Sequence, residues 1–157
     1  MKKKKGLSPT ITTILLIALT VVIIGIIFLW FRGLVEEGVV KFGKNIQLVC
    51  EDVDFDASYS SDTGLISITN RGNIPVFTVN LEISESGNYR TRNIKDIDAG
   101  LSWPPKGLNQ DGNFIGNIKN DVGSATKIKV LPVLIGTSKE GQKTFVCGGQ
   151  YGRDINV

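Results

Sequence analysis

The chain has 157 residues, with 18 Lys and Arg against 15 Asp and Glu, two Cys and no His. Without His, neither a Ser-His-Asp nor a Cys-His catalytic arrangement can form, and the commonest metal ligand is missing. The formal charge of +3 is no nucleic-acid footprint, because four of the 18 basic residues stand together at Lys2 to Lys5 and the 14 others stand against 15 Asp and Glu.

The N-terminus reads KKKKGLSPTITTILLIALTVVIIGIIFLWFR, and residues 11–31 contain no Asp, Glu, Lys or Arg. As a helix, such a run reaches roughly 31 Å, about the thickness of a bilayer's hydrocarbon core. Its threonines are compatible with that, since their hydroxyls bond back to helix carbonyls. Lysines on one flank, and Arg32 with Glu36 and Glu37 on the other, predict a cytoplasmic N-terminus and an exported remainder. A cleavable secretory signal would have a shorter apolar core ended by a small-x-small site, and Leu29-Trp30-Phe31-Arg32-Gly33 offers none.

Upstream of the run stand Lys4, Lys5 and Gly6, then Leu7-Ser8-Pro9. In these residues the segment resembles archaeal type IV pilins with their class III signal peptides. The resemblance implies that a prepilin peptidase cuts between Gly6 and Leu7 on the cytoplasmic side. It also implies partners: a membrane platform protein, an assembly ATPase, and further copies of the chain in a helical homopolymer that serves adhesion. Each part has a physical reading. Lysines hold the leader at an anionic membrane face, and Gly6 allows close approach to its backbone. Ser8 suits an N-cap and Pro9 the first helical position. Bacterial type IV pilins usually carry a Glu shortly after the cut, and Ile11 stands in that neighbourhood here. The apolar run alone is equally a signal anchor, so a monomeric anchored binding domain stays open as the alternative. So does a minor pilin or pseudopilin of a secretion or uptake machine.

Beyond Arg32, the spacing of Leu34, Val35, Val39 and Phe42 predicts that the helix continues to about Phe42, with Gly43 as its C-terminal cap. Thereafter the period changes. Residues 46–55 and 65–69 read as strands, and 77–83 alternate most cleanly, with Phe77, Val79, Leu81 and Ile83 on one face. Residues 89–97 read as an edge strand guarded by Arg90, Arg92 and Lys95. The stretch 98–123 reads as loops around one weak strand near 114–118. Residues 128–135 form a strand interrupted by Pro132, at a bulge or an edge, followed by a hairpin at 138–141 into 143–147 and a last short strand.

Together these predict an α+β chain: a leader at 1–6, a hydrophobic transmembrane and stalk helix at 7–43, and an antiparallel β-sandwich head at 44–157. The stretch 68–76 resembles strand–turn–strand segments of immunoglobulin-like adhesion modules. Cys50 and Cys147 lack metal or redox spacing; in an exported domain they read as one disulfide. On a strand, Asp52, Asp54 and Asp56 would share one face, a weak Ca²⁺ candidate. The Gly and distal Glu of a calcium loop are missing, so a solvated acidic face is the plainer reading. Trp103 beside Pro104-Pro105 reads as a lid on the core before it reads as a binding aromatic. No cofactor, enzymatic activity or Asn-x-Ser/Thr sequon is indicated.

Overall fold

The structure, a computed structural model, describes residues 9–36, 40–97 and 102–157. The chain divides into two compact units, Met1–Gly38 and Val39–Val157.

In the first unit, helix α1 spans Pro9–Glu36; Ser8, the expected N-cap, lies outside the described residues. Thr13 Oγ1 donates to the Thr10 carbonyl (2.9 Å) and Thr20 Oγ1 to that of Ile17 (2.8 Å), so these hydroxyls are satisfied within the helix. The helix does not run to Phe42. Instead Val40–Lys41 (β1) and Lys44–Asn45 (β2) form a small hairpin. Phe42 and Gly43 make its two-residue loop at φ 53° and 75°, the twist such hairpins favour. Gly43 is thus a turn residue and not a helix cap.

The strand expected over 46–55 is absent. Helix α2 occupies Ile46–Val49 and a 3-10 turn follows at Cys50–Asp52. Asn45 caps α2 by accepting the Gln47 amide (2.9 Å), and Ile46 and Val49, three apart, are buried on one side. The strands that follow are β3 (Phe55–Ser60), β4 (Leu65–Asn70), β5 (Thr78–Glu85), β6 (Asn88–Asn93) and β7 (Asn113–Asn117). After them come α3 (Lys119–Val122), β8 (Lys127–Ser138), β9 (Gly141–Val146) and β10 (Arg153–Asn156).

All pairings are antiparallel and make two sheets. One has the order β2-β1-β8-β5-β6, with β9 and β10 also on β8; the other has the order β3-β4-β7. Their alternate residues meet in one apolar cluster. Ile66, Ile68 and Phe114 come from the smaller sheet, and Leu81, Ile83, Ile128 and Val130 from the larger. Trp103 closes this cluster with only 6 % of its surface exposed, its ring tilted on Phe114 and its Nε1 donating to the Phe77 carbonyl (2.8 Å). It is a lid, and its one polar atom is satisfied.

Pro132 does not interrupt β8, which runs unbroken through it. On one side β8 pairs with β5; on the other it pairs with β10 up to Val130 and with β9 from Val133. Pro132 falls in the gap between those two partners, where its carbonyl accepts the Cys147 amide (2.9 Å). The N–H it lacks would face that same gap, so no ladder bond is lost.

Arginines fasten the two sheets to each other. Arg153 of β10 donates through Nε to the Phe55 carbonyl of β3 (2.9 Å) and approaches Asp54 at 3.5 Å. Arg90 of β6 donates to the Asp121 carbonyl, and Arg92 pairs with the Asp121 carboxylate at 3.4 Å, tying the edge strand to α3.

Candidate functional site

The candidate site is the surface through which the chain can meet other molecules. Its largest part is α1. Pro9–Phe31 is 23 residues long, apolar enough to cross a membrane, and every one of those residues is exposed. A soluble helix hides an apolar stripe and wets the opposite face. This segment is apolar all round, which is the pattern of a single membrane span or a signal anchor. Lys4, Lys5, Gly6, Leu7 and Ser8, the residues of the expected cleavage motif, lie outside the described residues.

The second part surrounds α2. Cys50 and Cys147 are joined, as the sequence leads one to expect, and bridge 97 positions. With Ile46, Val49, Ile74 and Leu134 they form a second, smaller apolar cluster, flanked by Val53, Phe145 and Tyr151. Two open clefts reach it. One, of about 570 Å³, is lined by Phe42, Lys44, Val49, Asp52, Asn73 and Ile74. The other, of about 430 Å³, is lined by Gln47, Leu48, Glu51, Phe145, Val146 and Tyr151, among others. Tyr151 donates its hydroxyl to Glu51 at 3.3 Å.

The three aspartates do not form the expected strand face. Asp52 ends the 3-10 turn, Asp54 precedes β3, and only Asp56 stands on that strand. Asp56 holds Arg71 at 2.7 Å and Asp54 faces Arg153, so two of the three carboxylates are spent on arginines. Among the described residues no three His, Cys, Asp or Glu side chains group as metal ligands.

Among the described residues three ionisable groups have moved from their ordinary values: Lys41, Asp154 and the fully exposed Glu140, whose carboxyl is held down by its hydrogen bond from Lys143. Burial pushes the Lys41 ammonium down, although its Nζ donates to the Ile135 carbonyl (2.9 Å). Its folded pKa lies below the unfolded one, so the unfolded chain holds more protons between the two and the head gains stability as pH rises through that window. Asp154 is held below the usual carboxylate range, first by its hydrogen bond from Lys127 on β8. Its contribution is present above the unfolded pKa and is lost as pH falls through the folded one; both partners are exposed, so it is small.

Asn70 was invisible in the sequence as a functional residue. Fully buried at the end of β4, it donates through Nδ2 to the carbonyls of Ile74 (2.9 Å) and Leu108 (3.0 Å), and its Oδ1 accepts the Gly72 amide (3.2 Å). Its backbone meets Gly112 and Asp111. One side chain thus ties the 71–76 turn to the 107–112 loop. Asn70→Ala leaves buried backbone groups without that partner, and denaturant unfolding should show a loss of about 2–3 kcal/mol; a loss below about 0.5 kcal/mol would assign the loops another tie.

No family model, no curated protein and no solved structure matches the chain, so what it does must be argued from these surfaces alone.

Proposed function

We propose that the chain is a structural subunit of an archaeal type IV pilus-like surface filament, stored in the membrane through α1 and assembled through the same helix once its basic leader is removed after Gly6. The observation that carries this reading is the exposed, uncharged Pro9–Phe31 helix directly behind Lys-Lys-Lys-Lys-Gly-Leu-Ser-Pro. A plain anchor needs the apolar helix and a positive flank, but not Gly-Leu-Ser-Pro between them. A helix apolar on every side can exchange lipid for copies of itself without exposing a side chain to water.

The partners that follow are a prepilin peptidase, a platform protein, an assembly ATPase and the chain itself. The head is read as an immunoglobulin-like sandwich on the outside of the fibre. Two antiparallel sheets around one apolar cluster favour this, although Cys50 and Cys147 lie beside the strands and do not join two of them.

The test is shearing of cells that express the full chain together with the assembly machine, followed by electron microscopy and sedimentation. Fibres containing the chain are expected. Recovery only as single copies extracted by detergent would leave the anchored binding domain as the correct description.

A further inference from the structure

The turn between β1 and β2 is unfavourable in two ways. Phe42 stands at φ 53°, where Asn or Gly is at ease and a bulky side chain is strained. Its ring is also 68 % exposed, apolar area that Asn at the same position would not leave in water. Lys44, two residues on, is exposed as well.

Across α2 and the 3-10 turn lies a fitting counterpart. Along a helical path Val49 and Asp52 share one side, and Gln47 and Glu51 the other. Val49 and Asp52 line the cleft that contains Phe42, whereas Gln47 and Glu51 line the second cleft. That second cleft exposes Leu48 and Val146, at 55 % and 44 %, and among the described residues Glu51 is the charged one lining it, beside the polar Gln47 and Gln150. An exposed aromatic with a lysine beside it and a cleft of mixed lining that holds two exposed apolar side chains and a carboxylate therefore occupy opposite flanks of one short segment.

We infer that the Phe42 turn of one copy seats in the Leu48–Val146 cleft of the next, with Lys44 meeting Glu51. This rests on the filament reading and names its head-to-head contact. Projection and cleft belong to different surfaces of the same molecule, so the contact is heterologous and can repeat from copy to copy along the fibre. Charge complementarity selects a second copy as the occupant, and shape and exposure supply the apolar part.

The experiment uses the full chain in cells that assemble it. Phe42→Asn suits the turn, so the head should melt at or above the wild-type temperature, while the yield of sheared fibre falls about tenfold or more, as for loss of a central aromatic anchor. Lys44→Glu and Glu51→Lys should each lower the yield, and the pair together should restore it. Wild-type yield from Phe42→Asn, or single charge changes that the double change does not rescue, overturns the contact. Absence of fibre from the wild-type chain would instead strike the filament reading itself.

Discussion

Removing the Cys50–Cys147 bond, by reduction or by replacing both cysteines with Ser, should destabilise the Val39–Val157 unit by about 4–5 kcal/mol. The bond spans 97 positions and closes most of that unit into one loop. In the chain-entropy description, a loop of about 100 residues restricts the unfolded chain by that amount at 25 °C. For a domain of this size the loss corresponds to a melting point lower by about 20 °C. The damage should be greatest around α2, because the smaller cluster of Ile46, Val49, Ile74 and Leu134 is packed on the two sulfurs. Calorimetry with and without reductant measures the total, and amide exchange locates it. A shift of only a degree or two would mean that the reduced head keeps its ends together by other contacts.

Keeping the leader should abolish fibre formation while leaving the precursor in the membrane. Four lysines precede Gly6, and α1 has no charge from Pro9 to Phe31. Drawing an ammonium into an apolar bundle costs about 2.5–3.5 kcal/mol even by the lenient insertion scales, so four of them oppose assembly by on the order of 10 kcal/mol. In lipid the same charges cost nothing, because they stay at the cytoplasmic face and fix the orientation. Gly6→Val, which crowds the bond to be cut, should therefore give a membrane-bound precursor and no fibre. Fibres built from uncut chains would show that the lysines stay outside the core.

The parts of the fold legible in the sequence are those with a strong local pattern. α1 needed only an absence of charge over a bilayer's length. β5 showed itself by alternation, from Val79 to Ile83, and β7 and the β8–β9 hairpin by turn residues around short apolar runs. The disulfide was legible because two cysteines without metal or redox spacing have one way to pair. α2 was not, because four residues are too few to show a helical period and Ile46-Gln47-Leu48-Val49 imitates strand alternation. Its cap, Asn45, was the one local signal.

β3 was not anticipated beyond Phe55: Phe55, Ala57 and Tyr59 turn inward between Asp56, Ser58 and Ser60, an alternation with too few large apolar side chains to stand out. The missed site features depend on distance in sequence. Asn70 meets Leu108 and Arg153 meets Phe55, 38 and 98 positions apart, and no local rule foretells either. Phe42 was placed on a helix face because its spacing from Val39 fits one; its turn and exposure followed only from the pairing of β1 with β2.

In the proposed filament, every step of assembly depends on the state of the chain's first residues, so the most direct measurement is N-terminal sequencing, with intact mass, of the chain recovered from sheared fibres. A chain beginning Leu-Ser-Pro, lighter by residues 1–6, is the expected result. A chain beginning at Met1 with its four lysines, recovered as dispersed single copies from the membrane, would contradict it.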